Sequence, residues 1–253
     1  MRCPHCNEKI ASHDLWCIKC CRRTNIISKD LSALNSLKVS WVKYKKVKGS
    51  NLPVGILASL TGIIPLLVIL WILNYTLPVV PKWQFMAISS IVWLFFLPVI
   101  IVPLSAVCKK DNYHLDVKDF FSSFTRYMKY FSLMLITVIY YIIIFYVCTG
   151  DPILNLVWLV LILYWISIII PVPIIMERFK CNAFKAIALS YKHAGDLRWN
   201  IFLMGIVLTL ANVLAAVLLV VGLSITIPFS WFAIRDYVDK MIEYEIFADK
   251  VTE

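Results

Sequence analysis

Apolar residues gather along the chain into four long runs, roughly 52–73, 83–107, 129–148 and 153–176, with short polar stretches between them. Each run is close to the ~20 residues that an α-helix needs to cross a bilayer. A fifth apolar stretch, 200–234, is too long for one helix and contains Gly222 and Pro228. Dividing it at about Gly222 gives two further spans, 200–221 and 222–238. Three segments end alike: Pro103-Leu-Ser-Ala-Val-Cys-Lys-Lys110, Pro171-Val-Pro-Ile-Ile-Met-Glu-Arg178 and Pro228-Phe-Ser-Trp-Phe-Ala-Ile-Arg235 each set a basic residue seven positions after a proline. A polar segment with apolar residues at helical spacing precedes each hairpin. The first runs from Leu31 to Lys48 with Leu34, Leu37, Trp41 and Tyr44. The second runs from Val117 to Tyr130 with Phe120, Phe121, Phe124 and Tyr127. The third runs from Phe184 to Trp199 with Phe184, Ile187, Ala188 and Tyr191. The pattern predicts an all-α polytopic membrane protein. It has about six transmembrane helices, arranged as three hairpins, each led in by a cytosolic amphipathic helix.

Composition agrees. Of 253 residues, 61% are hydrophobic and only 16% charged, with a mean hydropathy of +0.80; a soluble domain is usually about half apolar. Charge supplies the orientation. With six spans and the N-terminus inside, the external segments are 74–82, 149–152 and a tight turn near 222. Of the 25 Lys and Arg residues, only Lys82 falls in them. The positive-inside rule then places both termini, including the tail 241–253, in the cytoplasm of an integral cell-membrane protein. Trp71, Tyr75 and Trp83 are expected at the outer interface, and Tyr127, Tyr130 and Trp199 at the inner one.

The first 25 residues differ in chemistry. Cys3-Pro4-His5-Cys6 and Cys17-Ile18-Lys19-Cys20 are paired CxxC units, whereas Cys21, Cys108, Cys148 and Cys181 are scattered singly. Residues 1–30 are polar and show no apolar signal-peptide core, so a secreted disulfide framework is not expected. Two CxxC turns present four thiolates with the geometry of a tetrahedral Zn²⁺ site, and residues 1–25 resemble a minimal zinc ribbon. Cys21 offers an alternative ligand to Cys20, a redox dithiol is the competing reading, and His5 and His13 read as solvated. Four thiolates leave no open coordination position, so such a zinc is structural, and its binding would supply most of the folding free energy of so short a segment.

Residues 26–50 read as a basic juxtamembrane helix. Eleven Lys and Arg precede residue 51, against Glu8, Asp14 and Asp30. Lys38, Lys43, Lys45, Lys46 and Lys48, interleaved with Trp41, Tyr44 and Val47, form a clamp for anionic lipid headgroups, at about 1 kcal/mol per cation. Nucleic acid could use the same charges, but a helix pinned against the bilayer argues against it. The membrane domain, 51–240, shows no acidic, basic or histidine side chain between the ends of its apolar runs, and so lacks the usual mark of a proton or ion pathway. His114 and His193, with Asp111, Asp116, Asp196 and Cys181 near the inner interface, make no nucleophile–base–orienter spacing.

Glu177-Arg178-Phe179 ahead of Ala183-Phe184-Lys185-Ala186-Ile187-Ala188-Leu189-Ser190, and Ile225-Thr226-Ile227-Pro228 leading to Tyr237, resemble the membrane domain attached to some glycerophosphodiester phosphodiesterases and related bacterial polytopic families. The resemblance covers roughly 115–240. It implies architecture and no hydrolase activity, because the catalytic barrel of those enzymes is absent. The function expected from the whole chain is a non-enzymatic membrane scaffold or accessory subunit, with the zinc ribbon as a cytosolic docking module for a protein partner. A transporter or lipid-translocating protein is the first alternative, and a membrane-tethered nucleic-acid-binding regulator the second.

Overall fold

The structure is a computed structural model; it describes residues 31–76, 82–110, 112–148, 152–217, 219–244, 246 and 247, together with Cys6, Glu8, Lys9 and Lys19. Among these residues the architecture is helical, with no strand. Helix α1 (Ala33–Lys45) leads into α2 (Lys48–Ala58), which passes through a π-helical turn, Ser59–Ile63, into α3 (Ile64–Thr76). The chain returns as α4 (Lys82–Ile101) and α5 (Leu104–Val107). Helix α6 (Val117–Ser123) runs through a 3₁₀ turn, Phe124–Arg126, into α7 (Tyr127–Cys148). Next come α8 (Pro152–Ile169), α9 (Val172–Arg178) and α10 (Ala183–His193), and finally α11 (Arg198–Val217) and α12 (Leu219–Glu243).

The prolines act differently in the three repeats. Val102-Pro103 and Ile170-Pro171 form turns that separate α4 from α5 and α8 from α9, whereas Pro228 sits inside an unbroken α12. Proline removes one backbone donor and crowds the preceding turn, so a break is the usual outcome. In α12 the hydroxyl of Ser230 donates to Thr226 O, and Asn212 Nδ2 of α11 donates to that same Ser230 Oγ. These bonds tie the turn around the proline to the neighbouring helix.

Five stretches among the described residues are long and apolar enough to cross a membrane: Lys48–Leu73, Ile88–Val107, Val117–Cys148, Leu156–Arg178 and Arg198–Val217. The expected sixth span, 222–238, lies within α12. That helix is not among these five, and its second half carries Arg235, Asp236, Asp239, Lys240 and Glu243. The expected turn near Gly222 is also displaced. One helix ends at Val217, the next begins at Leu219, and Gly222 is helical. A Cβ on Gly222 would lie 2.2 Å from Ala215 O, and one on Gly55 would lie 1.9 Å from Ser224 O. Both glycines are there for close backbone approach, the small-residue contact by which helices pack in lipid.

One continuous hydrophobic cluster fills the interior, from Leu31 and Tyr44 through Leu104, Leu133, Ile174 and Met204 to Phe232, Tyr237 and Phe247. Helices α1 and α2 pack along α12. Tyr44 is fully buried against Phe229 and Phe232, its hydroxyl donating to Ile225 O at 3.1 Å, and Tyr237 donates to Leu31 O at 3.1 Å. The apolar face that the spacing predicts for α1 is therefore divided. Leu34 and Trp41 are exposed, while Leu37 and Tyr44 are core. In α10 the predicted apolar face is the outer one: Phe184 and Tyr191 are exposed, and Ala183, Ala186, Leu189 and Ser190 are buried. In α6 Phe120 is buried and Phe121 exposed. Apolar periodicity locates the face that turns inward only when the surroundings are water. In a membrane protein the small and polar face packs on neighbours while large side chains can face outward.

Candidate functional site

The three residues that close the proline repeats, Lys110, Arg178 and Arg235, converge on one end of the bundle. Arg178 grips Asp239 with two bonds, Nε to Oδ1 at 2.7 Å and Nη2 to Oδ2 at 2.5 Å, while its Nη1 donates to Cys108 O at 2.9 Å. Arg235, buried, donates from Nη2 to Asp236 Oδ1 at 2.8 Å and from Nη1 to Lys110 O at 3.0 Å. Its guanidinium lies between the rings of Tyr113 and Phe232, 4.8 and 5.0 Å from their centres. Lys110 in turn pairs with Asp119 and with Asp116, the latter at 3.3 Å. The end of each proline-containing segment is thus tied to a different part of the chain by a charge-assisted bond, the strong class of hydrogen bond.

Other buried polar groups complete the brace. Asp236 also accepts from Ser40 Oγ at 2.8 Å and from the Tyr113 hydroxyl. Burial, and after it the Asp236 carboxylate, raise the Tyr113 hydroxyl above its ordinary value. Asn51, wholly buried, donates to Tyr113 O at 2.7 Å and accepts from Leu115 N at 2.8 Å, fixing the segment between α5 and α6. Glu177 accepts from Arg126, from Lys129 at 3.3 Å and from Tyr130 at 3.2 Å. Burial pushes the Cys108 thiol up to about 12, so it is no nucleophile at neutral pH. With four donors on Asp236 and two on Asp239, neither carboxylate is available as a general base.

Between α1 and α12 this end opens into a cleft of about 200 Å³. Asp236, Asp239 and Glu243 line one wall at a spacing that keeps them on one face of α12, and Ser36, Ser40 and Lys43 line the other. Ser36 Oγ is buried there without a hydrogen-bond partner. The cleft can accept a donor-bearing polar group, and no catalytic set surrounds it. His114 instead contacts Asp116 at 2.9 Å on an exposed surface, and His193 stacks edge-on against Phe247.

The five lysines of the expected headgroup clamp, Lys38, Lys43, Lys45, Lys46 and Lys48, are all exposed. Lys43 Nζ lies 5.8 Å from the centre of the Tyr113 ring. Of the expected zinc ligands, Cys6 is among the described residues, whereas Cys3, Cys17 and Cys20 lie outside them. Lys19, which sits within the second CxxC, donates to Glu8, just after the first, at 2.7 Å; that bond lowers the Glu8 carboxyl. Among the described residues no group of three His, Cys, Asp or Glu is placed to hold a metal ion.

The sequence reading missed Asp116, Asp119, Asp236 and Asp239 as the partners of the repeat cations, and Glu177 as the partner of Arg126 and Lys129. The signal was present: each repeat's basic residue is adjacent in sequence to an acid or follows one in space. Acids at positions 236 and 239 break an otherwise apolar helix. No family model matches the chain, and neither a curated protein nor a solved structure is found to be similar to it.

Proposed function

We propose that this protein is a non-enzymatic integral membrane scaffold or accessory subunit of six spans, with both termini in the cytoplasm. Its N-terminal zinc ribbon, held by Cys3, Cys6, Cys17 and Cys20, docks a protein partner, and Lys38, Lys43, Lys45, Lys46 and Lys48 bind anionic headgroups. The observation that carries this reading is the cross-bracing of the charged end. Lys110 is bonded to the Asp119 carboxylate, Arg178 to Asp239 of α12 and to Cys108 O, and Arg235 to Lys110 O beside its own Asp236, over an interior filled by one hydrophobic cluster. Such an end holds helices in fixed relation and leaves exposed surface as the place for recognition. The Lys19–Glu8 bond, which links the two CxxC neighbourhoods, supports the ribbon. The two halves of the α11–α12 hairpin, in contact at Gly222 and Ala215, support α12 as the sixth span. The glycerophosphodiester-phosphodiesterase resemblance rests on its motifs, of which Glu177 and Arg178 both serve as braces.

The rival reading, a translocating protein, draws on one feature, the π-helical turn Ser59–Ile63 within a candidate span, since π-turns often mark functional positions. Affinity purification from native membranes followed by mass spectrometry separates the two. A stoichiometric protein partner that is lost in the Cys3→Ser, Cys6→Ser variant is the expected result. Absence of any partner, together with flux of a solute or lipid in proteoliposomes, would replace the scaffold with the translocator.

A further inference from the structure

The surface groove between α8 and α11 is a second, chemically different place on this molecule. It has a volume of about 350 Å³, within the range of small-molecule sites. Val160, Leu163 and Phe202 make it apolar, and Arg198 stands at one end with Tyr164 and Trp199. From these residues we infer a site for one anionic phospholipid, its phosphate on Arg198 and one acyl chain along Val160, Leu163 and Phe202. The inference rests on the reading that the bundle stands in a bilayer.

Arg198 is held by Tyr164 and Tyr191. Its Nη1 donates to the Tyr164 hydroxyl and its Nη2 to Tyr191 O at 2.6 Å. The rings of Tyr164 and Tyr191 flank the guanidinium at 4.7 and 4.8 Å. All of these partners are neutral. Arg126, Arg178 and Arg235 each reach a carboxylate, but among the described residues Arg198 pairs with none. Its Nε is buried with no hydrogen-bond partner. Such a cation is positioned and oriented but not neutralised. A phosphodiester supplies the missing charge, and a guanidinium edge matches two of its oxygens.

Depth and shape select a lipid as the source of that phosphate. Trp199, beside Arg198, is 76% exposed and packs on Phe202 with ring centres 5.5 Å apart, the placement of a residue at headgroup level. From there the groove follows α8 and α11, two of the candidate spans, away from the charged end. A free phosphate would satisfy Arg198 and leave the apolar groove empty. A diacyl phospholipid fills both.

The test uses full-length protein in mild detergent, examined by native mass spectrometry with phosphatidylglycerol and phosphatidylcholine of identical chains at equal concentration. One phosphatidylglycerol should be retained per chain, with about five-fold preference over phosphatidylcholine, the factor expected of one cation at an anionic headgroup. In a protein whose Lys38, Lys43, Lys45, Lys46 and Lys48 are replaced by Gln, so that the headgroup clamp contributes nothing, Arg198→Gln should bring the preference to about one. Val160→Trp fills the groove from an exposed position and should lower retention of both lipids even if Arg198→Gln does not survive extraction. Replacing Lys43, Lys45, Lys46 and Lys48 with Gln should leave the retained lipid in place. Equal retention of the two lipids by the unaltered protein, or full preference after Arg198→Gln in that lysine-replaced protein, would overturn the site. So would Arg198-dependent binding of glycerol 3-phosphate alone, which would make it a site for a free phosphate. Release of the protein from membranes by alkaline carbonate would overturn the bilayer reading and the site together. A carbonate-resistant protein with no lipid preference overturns the site alone.

Discussion

Arg235 and Arg198 lie in comparable surroundings and do different work. Each guanidinium is sandwiched between two aromatic rings, and each bonds to a backbone carbonyl of another element. Arg235 also has the Asp236 carboxylate at 2.8 Å and lies within 4.0 Å of Asp239; among the described residues Arg198 has only neutral partners. A buried cation with its counter-ion in the chain is a completed brace. One with no counter-ion among the described residues is, on the proposal above, a receptor for an anion. The proline repeat supplies the first kind at Lys110, Arg178 and Arg235, and Arg198 stands outside the repeat.

The largest expected effect comes from breaking the completed brace. Asp236→Ala leaves Arg235 buried without its carboxylate, and removing one member of a buried pair costs about 3–5 kcal/mol. A fall of that size should appear in the denaturant-dependent unfolding of the detergent-solubilised protein. Arg198→Gln, which removes no internal ion pair, should cost less than about 1 kcal/mol by the same measurement. Equal losses at the two positions would erase the distinction between brace and receptor.

Next in size is Gly55→Val. A side chain there would drive into Ser224 O, and overpacking of this kind costs about 1–3 kcal/mol. It should separate α2 from α12 while leaving the α8–α11 groove and its lipid preference intact. Loss of that preference in Gly55→Val would mean that the two regions are not independent. A smaller effect, read as reactivity, concerns Cys108. Burial holds its thiol at about 12, so a maleimide at pH 8 should not label it in the unaltered protein. Asp239→Asn weakens the Arg178 grip that also holds Cys108 O, and labelling should then rise. Cys148, in a span away from this end, serves as the internal control.

Much of the helical order was legible before the structure. The apolar runs 52–73, 83–107, 129–148 and 153–176 coincide with helical segments, the second and fourth broken at Val102-Pro103 and Ile170-Pro171, because run length against bilayer thickness is a strong constraint. The faces were less legible. Leu37 and Tyr44 proved to be core, while Phe184 and Tyr191 face outward, since hydrophobicity does not separate lipid from protein interior as surroundings. Gly222 was read as a turn because glycine serves both turns and close helix contacts, and sequence alone does not distinguish the two. Of the site, the three repeat cations were visible as a pattern, but their acidic partners were not. Asp239 is brought to Arg178, and Asp236 to Ser40 and Tyr113, only by the long-range return of α12. The proposed zinc ligands Cys3, Cys17 and Cys20 lie outside the described residues, so elemental analysis of the protein and of its Cys3→Ser, Cys6→Ser variant is the way to count the metal: about one zinc is expected in the first and none in the second.

The central claim is that α12 is a sixth span whose charged half returns to the side of the membrane where α1 begins. Topology measured at two points tests it most directly: a reporter fused after Glu253, and a cysteine placed at Pro78 and probed with an impermeant maleimide in intact cells. The account predicts an internal reporter and external labelling at position 78. An external C-terminus would mean five spans. It would put Arg235, Asp236 and Asp239 on the opposite side from the segment that they are proposed to brace.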